Sequence, residues 1–414
     1  MQLSTLFKFL IGDRQAILTI AATPRAIWIG LLLVLTGGLA RNYDKEPLLH
    51  QPQHVFGPLI VSALIGTGLF VILYGPVSIR GLRGPGSLRA YLIFMTLYWM
   101  TAPMAWLYGI PTERMTDIVT ATELNLWTLA LVSVWRVLLI ARVASVIFGA
   151  PMWIMLILTC AFSNVIVTGV LVVTPFPVIN IMGGIELTQS EQLISEIATT
   201  IFALSFITIP ALVLGSLVVL ALAKGSWQVP AVSRDEAKPR VARGVIALTL
   251  AALVLWSAPL PWTQPAQSLR YKTERALVSG NPAEGVAMMA SHGRAAYPLH
   301  WDPPPRRLYG ESEPDALEVL QLALEHSGDE AGWIAEIYAE KLAARMRWWV
   351  FMETDFLPFA EVMLAVDAGP RLMYEHRRWL QEESLRDESD EARMALRELR
   401  SSARRYAEEN DLSW

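Results

Sequence analysis

Arg136 is the residue with the most distinctive chemistry, because it stands about twelve residues from either end of the apolar stretch 125–148. A guanidinium stays charged at any physiological pH and presents its donors as a planar fork. At the depth of lipid such a group is costly unless it is paired, hydrogen-bonded or reserved for an anion. A short turn at Gly149-Ala150-Pro151 leads into the next apolar stretch, 151–174, so the two must form an antiparallel hairpin. Arg136 lies 13 residues before Gly149 and Asn164 lies 13 after Pro151, which puts them at one depth. The spacing predicts an Arg136–Asn164 polar pair, with Ser163 beside Asn164 and Ser133 one turn from Arg136. The group would either specify helix pairing, at about 1 kcal/mol per hydrogen bond, or hold a carboxylate or phosphate. The pairing role is the preferred one. Arg142, near the end of the same stretch, is expected to snorkel to the lipid headgroups as an interfacial charge.

Other chemistry leaves no trace. The apolar stretches contain no paired acidic motif, no serine–histidine couple and no H-E-x-x-H. His50, His54, His292, His300, His326 and His376 all lie outside them. His50 and His54 are four apart, but Pro52 between them opposes the helix that would aim both at one metal. No catalytic, cofactor-binding or metal-binding residue is therefore assigned, and an enzymatic role is not expected.

These side chains need elements to position them, and the sequence supplies long apolar segments. A span needs about 20 apolar residues to cross about 30 Å of hydrocarbon. Segments near 26–40, 55–75, 90–110, 125–148, 151–174, 197–223 and 242–262 meet or approach that length. The first is short and ends near Gly37-Gly38; it either begins earlier, with a kink at Pro24, or is re-entrant. Pro103 and Pro210 should kink the third and sixth spans. Ser62, Gly66 and Gly68 should let helices approach the second closely. Tyr74, Tyr108, Trp127 and Trp262 suit an interfacial belt, whereas Tyr91, Phe94, Tyr98 and Trp99 read as packing. Ahead of the spans, Leu3, Leu6, Phe7, Leu10, Ile11, Ile17 and Leu18 recur at helical spacing. Residues 1–25 are accordingly expected to lie at the interface or to pack on the bundle.

Charge divides the chain. Residues 1–262 carry 16 Lys and Arg against 11 Asp and Glu, while residues 263–414 carry 18 against 27. An acidic C-terminal part excludes the clustered positive charge that nucleic acid demands. The single cysteine, Cys160, rules out an intrachain disulfide. Arg80, Arg83 and Arg89 follow the second span, and Lys224, Arg234, Lys238, Arg240 and Arg243 follow the sixth. The loops after the third and fifth hold Glu113, Asp117, Glu123, Glu186, Glu191 and Glu196 with only Arg114 as a cation. Because Lys and Arg stay on the cytoplasmic side, the N-terminus is expected in the cytoplasm of a plasma (inner) membrane and the C-terminal part outside.

After Trp262 the pattern is helical and charged. Ser279-Gly280-Asn281-Pro282 reads as a turn with Gly280 left-handed, Asn281 capping the next helix and Glu284 closing the capping box. Trp301-Asp302-Pro303-Pro304-Pro305-Arg306-Arg307 reads as an extended strut laid on its own domain. Helices follow near 314–326, 329–349, 356–367 and 370–385, one of them striped by Trp333, Ile334, Ile337, Tyr338, Leu342 and Met346. Trp348, Trp349 and Phe351 close that helix as core or as a membrane contact. The last segment, 387–409, shows only Met394, Leu396 and Leu399 among its charges. It should be a solvated helix that can project outward.

The expected architecture is all-α: an interfacial segment 1–25, a polytopic bundle of 6–7 spans over 26–262, and a soluble helical domain over 263–414. The expected function is a membrane-anchored interaction or assembly protein. Its partners are the lipid bilayer and a protein bound through the C-terminal domain; no nucleic acid is expected. The alternative is a transporter or channel for a small anionic solute, using Arg136.

Overall fold

The computed structural model describes residues 1–80, 86–173, 188–229, 240–305, 314–326, 332–344, 356–382 and 389–414, and all regular structure among them is helical. Arg83, Glu186, Arg234, Lys238, Arg306, Arg307, Met346, Trp348, Trp349 and Phe351 lie outside the described residues. Two compact units emerge, one built from Met1–Pro175 with Gln192–Pro265 and one that includes Ala266–Trp414.

The first unit opens with two short helices, α1 (Leu3–Leu10) and α2 (Arg14–Ala21). Their apolar faces are committed to protein: Leu6, Phe9, Ile17 and Ile20 are fully buried in the bundle core. The segment packs on the bundle, with Phe7 and Ile11 left exposed. The chain then bends by 107° through the residues around Pro24 into α3 (Ala26–Asn42).

Five further helices follow: α4 (Gln53–Ile79), α5 (Ser87–Trp99), α6 (Ile118–Phe148), α7 (Met152–Val173) and α8 (Gln189–Leu222). Pro103 does not kink a continuous helix. It sits in the first turn of a 3-10 segment, Ala102–Gly109, that takes over after α5. Pro210 remains inside α8, as do Pro58 and Pro76 inside α4. The unit ends with α9 (Arg243–Ser257), bent by 45° into α10 (Leu260–Val278). Among the described residues, five helical segments are long and apolar enough to cross a membrane, or up to seven if each bent pair is one span.

The surface of these helices suits hydrocarbon. Ile60, Leu64 and Val71 on α4, Val165 and Val172 on α7, and Phe206, Ile207 and Leu214 on α8 are all exposed. Contiguous apolar surface of this kind is foreign to a water-facing monomer. Hydroxyls within the helices satisfy themselves locally. Thr67, Thr96, Thr159, Thr208 and Thr249 each donate to the carbonyl four residues back. The small residues of α4 act as expected. A Cβ on Gly66 would sit 2.9 Å from the Met95 sulfur, and one on Gly68 would sit 3.2 Å from the Phe162 ring. Trp99 reaches across to donate to Ser62 Oγ at 3.0 Å. Phe70 packs its ring against Tyr91 and Phe94, and Phe94 stacks on Tyr98 and Phe148.

Loop contacts sort into two ends. At the Met1 end, the terminal ammonium donates to Arg240 O at 2.7 Å, and Arg14 donates to Gln228 Oε1 at 3.0 Å. There too the Ser226 amide reaches Phe148 O at 3.0 Å, and Arg80 donates to Ala221 O. At the Tyr43 end, Tyr43 Oη donates to Gly109 O at 3.2 Å. The Tyr43 carbonyl accepts from Thr263 Oγ1 at 2.6 Å and from Gln264 Nε2 at 3.0 Å. This grouping is what helices running back and forth between two ends require.

The second unit has its own core. In addition to the end of α10 it contains α11 (Pro282–His292), α12 (Ala316–Glu325), α13 (Gly332–Ala344), α14 (Phe356–Ala365), α15 (Gly369–Glu375), α16 (Arg377–Glu382) and α17 (Asp390–Glu409). Gly280 is left-handed at φ +85°, as its place in the turn demands. Asn281 departs from expectation. Its side chain caps nothing and instead donates to Glu284 Oε2 at 3.0 Å. The final helix also departs from expectation. Ala392, Leu396, Leu399, Ala403 and Ala407 fall on one face and are buried against the unit, so α17 does not project outward. Met394 alone of the three expected apolar residues faces away, 61 % exposed.

Candidate functional site

Arg136 lies on α6, a helix of 31 residues that is about 46 Å long at 1.5 Å per residue. Helical side chains tilt toward their own N-terminus, and α6 begins at the Tyr43 end. The Arg136 side chain is thereby biased toward that end. Its guanidinium carbon sits 4.9 Å from the centre of the Tyr98 ring, a cation–π contact between α6 and α5. Its Nε is buried and has no hydrogen bond among the described residues.

The expected Arg136–Asn164 pair is not made among the described residues. Asn164 Nδ2 donates to Ser205 O at 3.1 Å and to Thr208 Oγ1 at 3.1 Å, tying α7 to α8. Counting from the turn fixed the depth of both residues but not the direction each faces around its helix. Arg136 faces α5, and Asn164 faces α8. Ser163 is half-buried beside Asn164, and Ser133 is exposed; among the described residues neither bonds Arg136. Arg142, half-buried, donates from its Nε to Gly12 O at 3.2 Å, in the turn between α1 and α2.

Arg41 is exposed in the last turn of α3, and Tyr108 is half-buried in the 3-10 segment after α5.

A polar lattice lies at the Tyr43 end. Lys45 pairs with Glu113 at 3.0 Å, and Asn125 Nδ2 donates to the same carboxylate at 2.8 Å. Thr112 Oγ1 donates to Asn125 Oδ1 at 3.0 Å. Burial pushes the Asp44 carboxyl up, with Glu113 adding to the shift while Lys45 and Arg114 oppose it. Burial also raises the Tyr43 hydroxyl to about 12, helped by the charge of Asp44. His54 Nε2 donates to Gln51 Oε1, 2.8 Å away, and lies 3.7 Å from a Glu46 carboxylate oxygen. Among the described residues no three His, Cys, Asp or Glu side chains gather closely enough to hold a metal ion.

In the second unit the proline strut lies on its own helices. Pro303, Pro304 and Pro305 are buried, and their carbonyls face α13. Tyr338 donates to Pro304 O, and Lys341, only 2 % exposed, donates to Pro303 O and to Pro305 O at 2.7 Å. Lys341 also meets Asp302 Oδ1 at 2.6 Å, so three acceptors surround its ammonium. Tyr297 stacks on Trp301 at 4.2 Å, and Trp301 Nε1 donates to Glu274 Oε1 at 2.8 Å. A buried ammonium with all of its donors used is an anchor, not a reactive amine.

Comparisons with protein-family models, with curated proteins and with solved structures gave no match. The functional reading therefore rests on the geometry alone.

Proposed function

We propose that the chain is a multi-pass integral membrane protein whose bundle anchors and positions a water-facing helical domain that binds a protein partner. The observation that carries this reading is where large apolar side chains are exposed. Among the described residues beyond Pro265, only Val278, Leu299, Met394 and Leu412 are large apolar side chains open to solvent. The helices before it expose such residues along their length. One unit is thus finished for lipid and the other for water.

Orientation follows from charge. The Met1 end gathers Arg14, Arg80, Arg142 and Arg240, while at the Tyr43 end Arg41, Lys45 and Arg114 stand among Asp44, Glu46 and Glu113. The bias of Lys and Arg toward the cytoplasm supports a cytoplasmic Met1 end in the plasma (inner) membrane. Thr263 and Gln264 bond at the Tyr43 end, so the chain leaves the bundle on the extracytoplasmic side.

The test places a photo-crosslinking amino acid at Leu299, Met394 or Leu412 of the full chain in native membranes. A discrete adduct with one protein from at least one position is expected. Adducts with lipid alone, or none from any of the three, would remove the partner-binding role.

A further inference from the structure

We propose that the segment from Met1 to Arg25 is a wedge seated in the headgroup layer at the Met1 end of the bundle, where its cations bind acidic phospholipids. This rests on the membrane reading above and adds to it the class of lipid recognised and the residues that meet it.

The depth of the segment is set by its ties to the bundle. The Ala242 amide donates to Met1 O at 2.9 Å, one residue ahead of α9. At the far end of α1, Gly12 O accepts from Arg142 Nε at 3.2 Å. A Cβ on Gly12 would stand 3.2 Å from the Arg142 stem and 4.0 Å from a Leu139 methyl. Arg142 precedes the end of α6 at Phe148 by six residues, about 9 Å of helix. α1 thus slopes inward, from the helix ends at Met1 to about 9 Å below them at Gly12. That is the depth at which an in-plane amphipathic helix lies. α2 follows at 107° to α3 and so runs across the bundle, not along it.

Two kinds of side chain leave this segment for the outside. Phe7 and Ile11, four apart on α1, are 58 % and 82 % exposed, whereas Leu6 and Phe9 are buried. Apolar side chains open at that depth have acyl chains as neighbours. Trp28 and Trp153, also exposed, stand near the starts of α3 and α7 and mark the headgroup level at the same end. The second kind is cationic. Lys8, Arg14 and Arg25 are exposed, as are Lys224, Arg240 and Arg243 on the neighbouring loops and at the start of α9. Among the described residues none of the six pairs with a carboxylate. Asp13, the one acid in residues 1–25, is already used: its Oδ1 accepts the Ala16 amide at 2.8 Å and caps α2. At the other end of the bundle, by contrast, Lys45 is paired with Glu113 at 3.0 Å.

Cations without counter-charges beside open apolar side chains complement an acidic leaflet. Each Lys or Arg near such a surface strengthens binding ~5-fold. A soluble acidic partner would use the cations but leave Phe7 and Ile11 in water.

The test uses full-length Cys160→Ala protein in nanodiscs of phosphatidylcholine, with and without phosphatidylglycerol. Nitroxides at Ser4→Cys, Phe7→Cys and Ile11→Cys are read for collision with oxygen and with a water-soluble nickel chelate. Phe206→Cys on α8, exposed along the bundle, is the lipid reference. The labels at Phe7 and Ile11 should favour oxygen, Ile11 the more strongly, and the label at Ser4 should favour the chelate. Retained lipid is read by native mass spectrometry. The unsubstituted protein should retain phosphatidylglycerol over phosphatidylcholine. Lys8→Gln with Arg14→Gln and Arg25→Gln should weaken that preference ~10-fold or more, while Arg41→Gln, exposed at the Tyr43 end, should not. If the triple variant does not fold, Lys8→Gln alone must weaken it severalfold. Ile11 open to the chelate while Phe206 meets oxygen, or equal retention by the unsubstituted protein and a folded variant, would overturn the proposal. Phe206 open to the chelate would remove the membrane reading as well.

Discussion

The Arg136 guanidinium rests 4.9 Å from the centre of the Tyr98 ring, and its buried Nε finds no hydrogen-bond acceptor among the described residues. A cation–π contact contributes about 1 kcal/mol, whereas a charge at depth costs several. Arg136→Leu should therefore leave thermal stability in detergent within about 1 kcal/mol of wild type or raise it. A loss of 3 kcal/mol or more would mean that Arg136 holds the bundle together.

Asn164 does hold helices together. It spans α7 and α8 through Ser205 O and Thr208 Oγ1. A double-mutant cycle on Asn164→Leu and Thr208→Val should give a coupling of about 0.6–1.7 kcal/mol, the range of interhelical hydrogen bonds in membranes. The parallel cycle on Asn164→Leu and Arg136→Leu should give none, and coupling there would restore the pair that the spacing suggested.

In the second unit, Lys341→Met should leave Asp302 and the carbonyls of Pro303 and Pro305 without their buried donor. Asp302 is half-exposed and water can replace its partner, so the cost is that of buried carbonyls left without a donor, about 1–3 kcal/mol. Protease digestion of full-length protein should then cleave between Trp301 and Pro305 much faster than in wild type. Digestion at the wild-type rate would show that the strut is held by other contacts.

Asp44 sets a pH dependence whose sign follows from its environment. Burial raises its folded-state pKa above the ordinary 3.8. The protonated form thus favours folding. That contribution is complete below the unfolded value and is lost as pH rises through the raised one. Asp44→Asn should raise the melting temperature at neutral pH and narrow its gap to wild type as the solution is acidified through that window. An equal gap at every pH would assign the effect to something other than titration.

How much of this was legible in the sequence differs from residue to residue. The apolar runs gave the long helices, because crossing length and hydrophobicity are linear properties. The proline strut was legible for the same local reason, since Pro303 to Pro305 admit few conformations. Arg136 and Asn164 mark the limit. Equal distance from a turn gives equal height, but a difference of one residue rotates a side chain by about 100° around its helix. Facing α5 or α8 is then a matter of packing. The buried face of α17 was missed for another reason. Ala392, Ala403 and Ala407 recur at helical spacing with Leu396 and Leu399, but alanine among so many charges reads as helix propensity, not as core. The composition break at Trp262 was read as a boundary between parts, yet α10 runs through it from Leu260 to Val278 and the compact units divide at Pro265. Helical hydrogen bonding continues regardless of which solvent the side chains meet.

The central claim, a membrane bundle with a cytoplasmic Met1 end and a water-facing helical unit outside, is tested most directly by single-cysteine labelling. Cys160 is replaced by alanine, and cysteine is placed at Ser4 or at Ser279, both exposed. In sealed right-side-out membranes, a membrane-impermeant maleimide should label Ser279→Cys at once and Ser4→Cys only after permeabilisation. Labelling of Ser4→Cys from outside, or protection of Ser279→Cys until the membrane is opened, would contradict the account.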